Sequence, residues 1–251
     1  MIDIHTHLLP GVDDGSPSVE ISTAVLERFA ADGVEVLVCT PHLLASEASR
    51  IAHQEYAHVF QRLRASAPAL PRLELGWEIM LDVPGADLTL PHLSLGASHA
   101  VLVEFGRTGV PARAAEELFR LRMSGVVPVL AHPERYWGCT VEQVRVWRQA
   151  GAVIQTDALM LLGSGPMAAM AKSMLEQGLV DCIASDNHGD SRSLRAARDW
   201  LLELGADEHA HLLTRMNAER LLSDNAPIPV PPLRIERGFL RRLRELVRGG
   251  R

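Results

Sequence analysis

The chain has 251 residues, 47% of them hydrophobic and 22% charged, which suits a single α/β domain with a substantial core. Its net charge of −6 argues against general nucleic-acid binding, and no apolar run approaches bilayer-spanning length. Three scattered cysteines, Cys39, Cys139 and Cys182, suggest neither a disulfide framework nor a thiolate metal site, so the chain reads as cytoplasmic.

The first element is an extended run, Asp3–His7, in which His5 and His7 stand two residues apart among Ile2, Ile4, Leu8 and Leu9. Side chains at i and i+2 of a strand share a face, about 7 Å apart along the backbone, so both imidazoles can reach one metal ion. Because this strand begins at once, no room is expected for a cleaved signal peptide. A Gly-rich turn follows, Pro10 to Gly15, returning Asp13 and Asp14 toward the strand end.

Further apolar strands are expected at Val34–Cys39, Leu73–Ile79, Ala100–Phe105, Val127–Ala131, Ala152–Thr156 and Asp181–Ser185. Helical periodicity falls near 18–32, 47–66, 111–124, 141–150, 166–177, 192–204 and 207–222. Seven strand–helix units with continuously apolar strands imply parallel strands covered by helices, either a (β/α) barrel or a doubly wound sheet. Both gather their chemistry at the carboxyl ends of the strands.

Ligand-type residues stand at those ends: His42 in Thr40-Pro41-His42, Glu78 in Gly76-Trp77-Glu78, then Glu104, His132 before Pro133-Glu134-Arg135, and Asp186 and His188 after Ser185. With His5, His7 and Asp14 these make five imidazoles and four carboxylates, too many for one ion. Shared carboxylates point to two or three metals, and the lack of sulfur favours manganese, iron or zinc. Such a site yields hydroxide near neutral pH and neutralises a bound anion, so hydrolysis is expected and phosphate esters suit the charge. Arg135 is placed for a bidentate phosphate clamp, with Arg192 as a weaker second. Glu134 and Asp13 adjoin ligands and stay open; Asp157 reads as a supporting residue or a helix cap. His53, His58, His92, His99, His209 and His211 read as structural or solvent-exposed.

The segments Ile2-Asp3-Ile4-His5-Thr6-His7, Gly11 to Gly15, Thr40-Pro41-His42, Gly76-Trp77-Glu78-Ile79, Ala131-His132-Pro133-Glu134-Arg135 and Ser185-Asp186-Asn187-His188 resemble the polymerase and histidinol phosphatase (PHP) superfamily. More closely, the chain looks like the bacterial metal-dependent tyrosine phosphatases encoded with capsule and exopolysaccharide genes. The resemblance spans roughly residues 1–195. It implies an α/β, distorted (β/α)7 TIM-like barrel with a trinuclear site, usually loaded with manganese. His5, His7, Glu78 and Asp186 would hold the first metal. Glu78 would bridge to a second that also takes Glu104 and His132, and Asp14, His42 and His188 would hold the third. Arg135 would bind phosphate. The implied partner is the phosphotyrosine-bearing tail of a membrane-associated tyrosine kinase of polysaccharide export. Two positions depart from the pattern: Leu43 replaces a frequent second histidine, and Asn187-His188-Gly189 differs around its histidine.

A small-metabolite phosphatase, for instance for histidinol phosphate, is the nearest rival. An amidohydrolase-type barrel or deaminase also opens with His-x-His. Many binuclear members need a carboxylated lysine at a strand end, however, and the only lysine here, Lys172, falls in an expected helix. A non-catalytic metal-binding regulator would be expected to have lost a ligand, and none is lost. The metallophosphatase domain is expected over 1–225. Residues 226–251 then form a Pro-rich connector and a basic amphipathic helix, with Ile235, Phe239, Leu243, Leu246 and Val247 as its apolar stripe. That helix would dock on the domain, a partner or an anionic membrane surface, and an oligomer is possible.

Overall fold

The computed structural model describes residues 1–106 and 109–235. Beyond Ile235, the predicted C-terminal amphipathic helix lies outside the described residues. All strand pairing is parallel and forms two sheets. The smaller has the order β1 (Ile2–Thr6), β2 (Val36–Cys39) and β4 (Arg72–Leu75). The larger runs β3 (His42–Leu44), β5 (Glu78–Met80), β6 (Ala100–Glu104), β7 (Val127–Ala131), β8 (Val153–Asp157) and β9 (Cys182–Ala184).

Nine strands are present among the described residues where seven were expected, and neither sheet closes: the predicted Leu73–Ile79 strand is split into β4 and β5, and β3 is added beyond the end of Val34–Cys39. Pro41, which cannot donate to a ladder, follows β2 and precedes β3. Gly76 and Trp77 separate β4 from β5. A side chain on Gly76 would collide with Leu95, 2.8 Å from the new Cβ, so only glycine lets the chain pass there. Each interruption shifts the chain from the smaller sheet to the larger, and His42 and Glu78 open the new strands side by side in register. On the other flank the backbone joins β1 to the segment after β9. The amide of Asp186 donates to His5 O at 3.0 Å and that of His7 to Asn187 O at 2.8 Å.

Helices follow the strands: α1 (Val19–Asp32), α2 (His53–Ser66), α3 (Ala114–Met123), α4 (Val141–Gln149), α5 (Ala158–Leu162), α6 (Pro166–Glu176) and α7 (Leu194–Glu203). The chain then winds through α8 (Asp207–His211), a π-type stretch, and α9 (Asn217–Leu222). Short α5 was not anticipated; Asp157 caps it by accepting from the Leu159 amide at 2.8 Å. Alternate residues of a strand enter different apolar clusters, so both faces are buried and the runs read as continuously apolar. Val101 and Val103 belong to the larger cluster, whereas Ala100 and Leu102 join a smaller one that takes Ala218 and Leu221 from α9. Glu104 continues the Ala100–Leu102 face, which directs it toward the centre of the strand ends.

The described part of the Pro-rich connector is strapped to the domain. Asn217 exchanges two hydrogen bonds with Ile228, His209 contacts Pro231 O at 2.9 Å, and Val230 is buried. Among the described residues no helix is long and apolar enough to cross a membrane.

Candidate metal centre

The nine residues singled out as ligands all gather at the carboxyl ends of the strands. Their donor atoms form four overlapping groups, each within 4.8 Å: His5, His7 and Asp186; His5, Glu78 and His132; His42, Glu78 and Glu104; and His7, Asp14, His42 and His188. β1 supplies His5, His7 stands one residue past its end, and the turn that follows supplies Asp14. Gly15 lets that turn close, because a Cβ there would sit 2.2 Å from His7 O. His132 and Asp186 each end a strand with positive φ, 34° and 48°, a conformation sparsely populated by non-glycine residues and found most often at functional sites.

The tightest group has His5 Nε2 3.2 Å from His7 Nε2. Glu78 Oε2 lies 3.3 and 3.2 Å from these two nitrogens, and Asp186 Oδ1 lies 3.4 and 3.3 Å from them. Donors bound to a tetrahedral ion at about 2.0–2.1 Å stand about 3.3–3.4 Å apart, and each imidazole nitrogen is close to that spacing from the other and from both carboxylate oxygens. Nitrogen polarity agrees. His5 Nδ1 lies 3.0 Å from Gln155 Oε1 and His7 Nδ1 2.7 Å from Asp13 Oδ2, both acceptors, so the protons belong on Nδ1. Both Nε2 lone pairs then face one another, an arrangement that a shared cation stabilises. The residues present thus fit a divalent metal.

The rest of the cluster opens outward. His132 Nε2 reaches Glu78 Oε1 at 2.7 Å and Glu104 Oε2 at 4.0 Å. The His42 ring spans two groups: Nδ1 is 3.0 Å from Glu78 Oε2 and 3.8 Å from Glu104 Oε1, while Nε2 is 3.3 Å from Asp14 Oδ1. Resemblance assigned His42 to the third metal alone; here its ring borders the second as well. His188 Nε2 stands 3.6 Å from Asp14 Oδ1.

Without a metal, protons take its place electrostatically. Burial works to lower the pKa of His5, but Glu78 and Asp186 overcome it and carry the group up to about 9. Burial is likewise outweighed at His7, which is raised by Asp13, Asp186 and Glu78. Glu78 and Asp186 move the other way: despite burial, the surrounding histidines hold both well below the usual carboxylate range. A cation entering this set displaces protons from imidazole, so binding releases them.

Both arginines lie at the cluster, and both contact Asp186. Arg135 Nη2 donates to Asp157 and to Asp186 Oδ2, the latter at 2.5 Å. Arg192 Nη1 contacts Asp186 O, Asp186 Oδ2 at 3.3 Å and His188 Nδ1 at 3.0 Å. Glu134 faces elsewhere: its Oε1 accepts from the Asp157 amide at 2.8 Å, and burial next to Asp157 pushes its carboxyl up to about 8. Asp13 proves to be the brace of His7 rather than a donor in any of the four groups. Gln155 was missed, although an amide inside an apolar parallel strand calls for a partner and so carried a signal. Lys172 takes no part, donating to Gly163 O from α6 at 2.9 Å.

A family model for capsular polysaccharide synthesis, CpsB/CapC, matches residues 1–223. The chain is 27% identical over 256 residues to the tyrosine-protein phosphatase YwqE of Bacillus subtilis, covering 94% of this chain and 97% of that protein. It is 30% identical over 244 residues to the tyrosine-protein phosphatase CpsB of Streptococcus pneumoniae, covering 89% and 99%. Among solved structures, it is similar to one from work on YwqE of Bacillus subtilis and CpsB of Streptococcus pneumoniae, described there as unique metal-dependent tyrosine phosphatases. The TM-score is 0.78 at 27% identity, covering 94% of this chain and 100% of that one.

Proposed function

The chain belongs to the CpsB/CapC family of capsular polysaccharide synthesis proteins, and from this we infer that it is a metal-dependent tyrosine phosphatase, hydrolysing phosphotyrosine esters in protein. The observation that carries the inference is the buried pair of facing imidazole nitrogens, ringed by Glu78 and Asp186 at the spacing of a tetrahedral ion. We read the two sheets as the halves of a distorted (β/α)7 barrel. The backbone bonds between β1 and residues 186–187 support that reading on one flank, and the transfers at Pro41 and Gly76 support it on the other. Residues 1–225 would be the phosphatase domain, and 226–251 an appendage.

His5, His7, Glu78 and Asp186 would hold a first metal; Glu78, Glu104 and His132 a second; Asp14, His42 and His188 a third. Manganese fits the nitrogen and oxygen donors, with iron or zinc as alternatives. When bound, such ions lower the pKa of water and neutralise phosphate oxygens. The protein supplies the positioning. Gln155 and Asp13 fix the tautomers of His5 and His7, and Arg135 and Arg192 hold Asp186 while adding positive charge where the phosphoryl group must sit. Tyrosine, with a pKa near 10, leaves with little acid assistance. None of the three cysteines is set up as a thiolate nucleophile: Cys39 and Cys182 are buried, Cys139 is half-buried, and burial raises the thiol pKa of each. We place the reaction in the cytoplasm, with a membrane-associated tyrosine kinase of polysaccharide export as the protein substrate.

The test is a comparison of initial rates, on a phosphotyrosine peptide and on histidinol phosphate, of the manganese-reconstituted protein and of His132→Ala. The wild type should prefer the peptide, and His132→Ala should lose at least about a hundredfold in rate together with one metal position by elemental analysis. Unchanged turnover in a fully loaded His132→Ala protein would refute the assignment.

A further inference from the structure

Trp137 stands two residues beyond Arg135 and is 81% exposed, more than any other large apolar side chain among the described residues. It is not a loose end. Cys139 N–H donates to Tyr136 O at 3.1 Å, and Gly138 has φ 74°, which makes residues 136–139 a type II turn with Trp137 at its first corner. Tyr136 pins the turn from below: its hydroxyl donates to Ala131 O at 2.6 Å and accepts from the Phe105 amide at 3.2 Å. Its ring meets His132 edge-on at 6.1 Å. The turn is thus fixed two residues beyond Arg135, and its indole stays in water although burying it would be favourable.

Trp137 has exposed neighbours. Asp157, the carboxylate that Arg135 grips, caps α5, and two residues past it Leu159 is exposed, as is Leu162 one turn later. Exposed Met167 opens α6, which packs against the Pro133–Arg135 turn. Trp137 and Leu159 therefore each stand two residues, at most about 7 Å of chain, from one side of the same ion pair. Both exposed side chains are thus tethered by short stretches of chain to the Arg135–Asp157 pair.

We propose that Trp137, with Leu159 and Leu162, docks an apolar side chain one or two positions from the phosphotyrosine in the protein substrate. This rests on the phosphatase reading above. With the phosphoryl group near Arg135, the substrate residues within reach of an exposed side chain two positions along this chain are those one or two places from the phosphotyrosine. The surface selects protein substrates over free phosphotyrosine, and it selects among phosphotyrosine sites by their apolar neighbours. Tryptophan supplies a large contact area, and the turn already orders its backbone.

The test uses the manganese-loaded full chain with free phosphotyrosine, a peptide carrying leucine or phenylalanine beside phosphotyrosine, and the same peptide with alanine there. Trp137→Ala should raise KM for the apolar peptide about 5–30-fold, in the range of an interface hot spot, and Trp137→Phe should recover part of it. Turnover of free phosphotyrosine should stay unchanged. Tryptophan emission should shift to the blue when the apolar peptide binds, and Trp137→Phe should lose that shift. Equal KM values for wild type and Trp137→Ala on the apolar peptide would overturn the docking surface while leaving the phosphatase reading intact, as would an equal loss on free phosphotyrosine. Absence of phosphotyrosine hydrolysis by the wild type would instead refute the reading it rests on, and the docking proposal with it.

Discussion

The two ends of the metal cluster are built differently. At the inner end His5 and His7 are wholly buried, and the Glu78 and Asp186 side chains are within 2% of it. Each imidazole is braced from behind by Gln155 or Asp13. At the outer end the Asp14 side chain is 69% exposed and that of His42 32%. An ion at the inner end would neutralise charges that have no access to water, so its removal has to be made up by protons on the buried imidazoles. An ion at the outer end would compete with solvent for ligands already hydrated. Retention and exchange of metal should therefore divide along this axis.

The largest expected contrast is between Glu78→Gln and Asp14→Ala. Removing one partner from a buried charge set costs on the order of 3–5 kcal/mol. Glu78→Gln should thus lower activity by about a thousandfold or more and empty the first two positions by elemental analysis. Asp14→Ala should lose only the outer ion, with stability within about 0.5 kcal/mol of wild type because the side chain faces solvent. Equal metal loss in both variants would remove the distinction between the ends.

A smaller effect is expected from Asp13→Asn, which keeps the shape of the brace behind His7 but loses its charge. Metal affinity at the inner position should weaken about 10–100-fold, with little change for the outer ion, as read by competition with a chelator.

The mildest lever is pH. The folded pKa of His5 is raised to about 9, above its unfolded value of 6.5. In metal-free protein its contribution is complete below about pH 6.5 and is lost as pH rises toward 9. Thermal melts of apoprotein should drop across that window. Loaded protein should show a flatter profile, because the ion takes the place of the proton; identical slopes would mean that the inner end does not hold it.

Much of this was legible in the chain. His5 and His7 are local, two residues apart at the end of the first strand, and the other candidate ligands follow apolar runs or, for Asp14, the turn after that strand, so residue type and position single out the nine that the fold gathers. Arg135 was also found, but as a free clamp, whereas it is committed to Asp157 and Asp186, 22 and 51 residues away. The change of sheet escaped notice because Leu73–Ile79 reads as one extended run through its break, and β3 follows Val34–Cys39 after only two residues. Only the neighbouring strands reveal that the chain changes sheets.

The identities of the ligands, their order and the parallel α/β pattern follow from residue type and spacing, since those depend on one strand or helix at a time. Which nitrogen of each imidazole points inward, which carboxylate is shared, and which arginine restrains Asp186 depend on partners that the chain brings together only on folding. Gln155 meets His5 across 150 residues. These choices rest on long-range packing and buried charge, and no local pattern in the chain encodes them.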